Sequence, residues 1–155
     1  MAMVVGMIAG MGAGFALVGR LGRHLLHIGV VIVAVGTVVL ALTVADARTA
    51  STLDLAPGLF LIGLGAGSSI GQLFDFILAG VGMNEVGSAS GVLEAVQQLS
   101  SALGVAVLGT IFFSAFGGHL PTHALAITAW ACLVPLAATF LLLFKLPMRA
   151  REPQP

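Results

Sequence analysis

Charge is what this chain lacks most. Six Lys and Arg and six Asp and Glu make up 8% of its 155 residues, where a soluble domain carries about 25%. So few charged side chains cannot cover a water-facing surface, and a soluble globular protein is excluded. The net charge is zero and no basic block is present, which argues against nucleic-acid binding. A lone Cys132 has no partner for an intrachain disulfide and reads as a small apolar residue in an apolar run. Chemistry-bearing clusters are missing too. His24 and His27 are three apart, but no Cys, Asp or Glu completes a metal site around them. His119 and His123 have Pro121 between them, which argues against a shared helix face. No Ser/His/Asp set, phosphate loop or carboxylate pair appears, so no metal, cofactor or enzyme activity is expected. The Gly63-x-Gly65-x-Gly67 run lies inside an apolar segment rather than after a soluble strand, so it is not a nucleotide motif.

What the chain has is hydrophobicity: 59% apolar residues and a mean hydropathy of +1.14. A membrane-spanning helix needs about 20 apolar residues. Five segments qualify: 1–18, 25–45, 57–80, 91–116 and 124–146, with a short polar tail at 147–155. The first lacks the positive flank and cleavage site of a signal peptide. Gly117-Gly118-His119-Leu120-Pro121 divides the long uncharged run from Ala95 to Phe144 into two spans. The expected fold class is all-α, a multi-span helical membrane protein in the cell membrane. Arg20, Arg23, Lys145, Arg149 and Arg151 share one side under this count, and only Arg48 falls on the other. Positive loops face the cytoplasm, so the C-terminus is expected inside and the N-terminus outside.

Two kinds of feature stand out within the spans. Gly6, Gly10 and Gly14 recur every four residues, as do Gly63, Gly67 and Gly71. Such rows let another helix approach closely, for static packing or for sliding. The second feature is polarity at membrane depth, where an Asp near the centre costs about 2.5–3.5 kcal/mol on insertion scales. Ser68, Gln72 and Asp75 share one helix face, and Glu94, Gln97, Gln98 and Ser101 share another. Both stripes lie near the turn between adjacent helices and are expected to meet, either lining a water-filled path or forming an interhelical hydrogen-bond cluster. Glu94 falls in the first turn of its expected helix, where a carboxylate is favoured by the helix dipole. Pro135 breaks the ladder of the last span, with Thr139 one turn on to help satisfy the freed carbonyl.

A family resemblance rests on particular residues. Gly63-Leu64-Gly65-Ala66-Gly67, Leu73-Phe74-Asp75 with Leu78-Ala79-Gly80-Val81, Glu85-Val86-Gly87-Ser88-Ala89-Ser90-Gly91, Gln97-Gln98-Leu99 and Leu103 to Thr110 resemble the late spans of major facilitator superfamily exporters. The likeness is to the fourteen-span drug:proton antiporter branch. The first loop, with Arg20, Gly22 and Arg23, resembles the superfamily's cytoplasmic L-x-D-R-x-G-R-R motif, though Gly19 stands in place of its Asp. Gln97 stands where many members have Arg.

The resemblance implies an exporter of amphipathic small molecules driven by the proton gradient, without a bound cofactor. It places Asp75, Gln72, Gln97 and Gln98 along the transport cavity. It also implies that the five spans match the last five of fourteen. The chain is then expected to be a C-terminal fragment, a truncated gene product or a frame read from an internal Met. Its partners would be the lipid bilayer and the missing N-terminal half, and alone it would not transport. The alternative is a small membrane interaction protein, or a split-transporter subunit, assembling through its glycine-rich faces.

Overall fold

The computed structural model describes residues 1–46, 52–78, 81–82, 84–117 and 121–145, with the side chains of 18–20, 23, 46, 52 and 75–78 left aside. The described chain is five α-helices: α1 (Ala2–Leu21), α2 (Arg23–Asp46), α3 (Thr52–Leu78), α4 (Val86–Phe116) and α5 (Pro121–Leu143). The expected all-α, five-helix architecture is present. Helix is the structure an apolar chain adopts in lipid, because each backbone N–H must find its carbonyl within the segment. Side-chain hydroxyls obey the same demand. Thr37, Thr43, Thr110 and Thr128 each donate to the carbonyl four residues back at 2.8 Å.

Helix ends depart from the sequence expectation in instructive ways. α3 begins at Thr52 rather than at Pro57, so the helix runs through the proline instead of starting on it. α4 begins at Val86 rather than Gly91 and runs for 31 residues, about 46 Å at the α-helical rise. Glu94 is therefore two turns inside α4 and not in its first turn, so the helix dipole is not what favours it there. Among the described residues four helices are long and apolar enough to cross a membrane: α2 (His24–Ala45), α3 (Leu53–Phe74), α4 and α5. In α1 the apolar part among described residues is Ala2–Leu17, shorter than the other four. The tail from 146 onward lies outside the described residues.

The helices do not pack in sequence order. Each lies mainly on the next in the order α1, α3, α2, α5, α4, with slight contact between α1 and α2 and between α3 and α4. The bundle is thus a row with α3 and α2 inside it. Among described residues the buried apolar side chains lie in α2 and α5: Leu25, Leu26, Ala41 and Val44, then Ala124, Ala126, Ala129 and Leu143. Around α3 burial is carried by glycine. At the first turn of the chain, Gly22 takes a left-handed φ of 47°, which lets α1 reverse directly into α2 with only one residue between them.

Candidate functional site

Backbones approach closely along the seam between α1 and α3. A Cβ added at Gly6 would run into the carbonyl oxygen of Phe60, one at Gly10 into that of Leu64, and one at Gly14 would come 3.1 Å from that of Ser68. From the other side, Cβ atoms at Gly63 and Gly67 would strike the carbonyl oxygens of Met3 and Met7. The partner numbers rise together, so α1 and α3 run parallel. Backbone touches backbone along two full turns, which only glycine allows. Gly71, next in the α3 row, meets nothing within 4 Å, and the close contact ends before it.

A second glycine seam was not singled out from the sequence. On α2, Gly29 and Gly36 face Gly65 and Gly58 of α3; a Cβ at Gly36 would lie 2.9 Å from the Gly58 oxygen. Here low numbers meet high ones, so α2 and α3 are antiparallel. The signal was present as spacing: both pairs are seven apart, two helical turns, and so share a face. These seams occupy the glycine rows within the chain itself.

Where the α1–α3 seam loosens, the side chains of α3 turn polar. Ser68 and Gln72 are 6% and 3% exposed. The Ser68 hydroxyl donates to Gly65 O at 2.9 Å, and Gln72 Nε2 donates to Ser68 O at 2.5 Å. Both residues line a small notch of about 30 Å³ with Met11, Gly14, Phe15, Gly67 and Gly71. Asp75 lies one turn further along α3; its side chain, like those of Arg20 in the last turn of α1 and Arg23 at the start of α2, is outside the described residues.

The second polar stripe is elsewhere. Glu94, Gln97, Gln98 and Ser101 are all exposed on α4, a helix with no buried residue. Gln98 Nε2 donates to Glu94 Oε1 at 3.2 Å, and Ser101 Oγ donates to Gln97 O at 2.9 Å. Among the described residues the two stripes do not meet. α3 and α4 are consecutive but hardly touch, because α4 packs on α5. Gln72 turns toward Gly14 of α1 instead, and the Ser68 hydroxyl toward Gly29 of α2.

The α2–α5 interface carries an apolar groove of about 490 Å³, with Val31, Ala34, Val38, Leu136 and Phe140 among its walls. At its end the His27 ring meets Phe140 and Phe144 edge-on, with centroids 5.2 Å and 4.7 Å apart. His27 is thus a packing residue joining the start of α2 to the end of α5. Thr139 does not serve the carbonyl freed by Pro135, which belongs to Ala131. Its hydroxyl donates to Pro135 O at 2.8 Å. Among the described residues no group of three or more His, Cys, Asp or Glu could hold a metal ion.

Five helices, four of them long enough to span a bilayer, with buried glycine seams and exposed apolar flanks, define a multi-pass α-helical membrane protein. Its relatives narrow the class. Over 118 residues, 76% of this chain and 20% of that protein, it is 47% identical to the "Probable actinorhodin transporter" of Streptomyces coelicolor. Over 90 residues, 58% of this chain and 18% of that protein, it is 33% identical to a puromycin resistance protein of Streptomyces alboniger. The chain therefore spans about a fifth of the length of these relatives. No family model and no solved structure matches it. The chain is thus similar to part of a protein named as a transporter and to part of one named as a resistance protein.

Proposed function

We propose that this chain is the C-terminal part of a proton-coupled exporter of the major facilitator superfamily, of the fourteen-span drug:proton antiporter kind. The observation that carries the reading is the 47% identity over 118 residues to a protein named as a transporter, of which those residues are one fifth. The state of α4 supports it. A 31-residue apolar helix with no buried residue and with Glu94, Gln97, Gln98 and Ser101 exposed is costly against lipid, since polar groups at membrane depth need partners. Its glycines at 87, 91, 104 and 109 also face open space. In the proposed exporter the missing half covers this face, and the Glu94–Ser101 stripe lies along the path between halves.

In that setting Asp75, Gln72, Gln97 and Gln98 line the transport cavity, with amphipathic small molecules as substrates and the proton gradient as energy source. The C-terminus is cytoplasmic and the N-terminus outside. The 155-residue chain alone does not alternate access, because one incomplete half cannot close a pathway. Efflux of a fluorescent cationic dye from cells carrying the full-length transporter tests the residue assignment. Asp75→Asn is expected to lower efflux or shift its pH dependence, and wild-type efflux with an unchanged pH profile overturns the role given to Asp75. Dye export by liposomes holding only the 155-residue chain refutes the claim that it is a part.

A further inference from the structure

The notch at the loose end of the α1–α3 seam holds an unmet polar atom. Gln72 is 3% exposed, and its Nε2 is engaged with Ser68 O. Its Oε1 is buried with no hydrogen-bond partner. An amide oxygen left bare in an apolar interior is unfavourable, which is why such atoms are rare in folded proteins. The missing partner must be a donor, since the amide oxygen only accepts.

The space beside it sets the size of that donor. The notch measures about 30 Å³, and a single water requires roughly 10–15 Å³ by that measure. A drug-sized molecule needs about ten times more than the notch offers. Position sets the supply. Asp75 follows Gln72 three residues on in the sequence, about 4.5 Å along the axis, and ionisable residues at membrane depth occur where water or a partner reaches them. The rim, formed in part by Phe15 and Gly71, is exposed. Water that reaches the rim therefore meets Gln72, and neighbouring waters at the mouth supply its further hydrogen bonds.

We propose that the notch between α1 and α3 is a hydration site, in which a water molecule donates a hydrogen bond to Gln72 Oε1. The proposal does not depend on the exporter reading, since it concerns contacts within these two helices. It separates two ends of one seam: dry backbone contact from Gly6 to Gly10, and a wet end at Gly14, Ser68 and Gln72.

Water-to-protein magnetisation transfer, measured by NMR on the ¹⁵N-labelled chain in lipid nanodiscs, tests it. The side-chain amide signal of Gln72 is assigned by its loss in Gln72→Leu. It is expected to receive magnetisation from water, as does the exposed Asn84 amide of the α3–α4 turn, while the backbone amides of Gly10 and Leu64 do not. A Gln72 amide as silent as Gly10 overturns the proposal. Gly14→Ala places a methyl 3.1 Å from Ser68 O and 3.5 Å from Gln72 Nε2, narrowing the notch. Transfer to Gln72 is expected to be lost in that variant, and transfer at the wild-type level there also overturns the site.

Discussion

α3 and α4 are both apolar helices with recurring glycines and a polar stripe, yet one lies between two neighbouring helices and the other has no buried residue. On α3 the glycines at 58, 63, 65 and 67 each meet a neighbouring backbone. On α4 the glycines at 87 and 91, with the same four-residue spacing as Gly63 and Gly67, meet nothing within 4 Å. Ser68 and Gln72 are buried, whereas Glu94, Gln97, Gln98 and Ser101 are exposed. Spacing makes a groove possible, but a groove closes only when a second helix presents its own backbone to it. The contrast teaches that a glycine row is a groove on α3, where neighbours fill it, and an open surface on α4.

The sharpest way to break the comparison is to spoil the filled seam. Gly10→Leu drives a side chain into the Leu64 carbonyl, and overpacking of this kind costs about 3 kcal/mol. The variant is expected to lose the α1–α3 contact, read as a large drop in unfolding midpoint in mild detergent. Gly12→Leu, one residue pair away and facing open space, is expected to leave that midpoint in place. Equal losses in both would mean that backbone contact is not what holds the seam.

A second test addresses the open face. Gln97→Leu with Gln98→Leu is expected to change the stability of the 155-residue chain by less than about 0.5 kcal/mol, as for exposed positions generally. In a full-length transporter the same pair is expected to weaken assembly and lower efflux, since a covered stripe would lose its hydrogen bonds. Unchanged efflux would detach α4 from the proposed inter-half path.

A smaller effect belongs to the α2–α5 interface. His27→Ala removes two edge-on ring contacts, each aromatic pair being worth about 0.5–1.5 kcal/mol. A modest fall in the unfolding midpoint is expected, with the α1–α3 amide signals unmoved. The smallest belongs to α4 itself. Gly104→Ala meets no neighbour and is expected to raise helix stability by up to about 1 kcal/mol through propensity alone, measured by hydrogen exchange along α4.

Much of the architecture was legible in the sequence because lipid leaves few choices. A chain with 8% charged residues and runs of about 20 apolar ones must form helices. The Gly6–Gly10–Gly14 and Gly63–Gly67 rows were visible as four-residue repeats. The second seam, Gly29 and Gly36 on Gly65 and Gly58, was hidden by its seven-residue spacing among many other glycines. Helix starts were placed too late at Pro57 and Gly91, because residues that often begin a helix here lie inside one.

The candidate site was less legible, and the reason is geometric. Periodicity shows which residues share a face but not which helix that face meets. The spacing puts Ser68, Gln72 and Asp75 on one face, and Glu94, Gln97, Gln98 and Ser101 on another. Adjacency in sequence suggests that the faces meet, but the order α1, α3, α2, α5, α4 sets the first against α1 and α2 and leaves the second open. By itself the sequence determined the membrane class, the helices and the glycine rows, because those follow from hydropathy and from period along a single helix. Only the tertiary structure decided which glycine row is occupied, which stripe is buried and where a bare amide oxygen meets a notch of water's size. Those depend on the pairing of helices far apart in the chain, and no single helix encodes its partner.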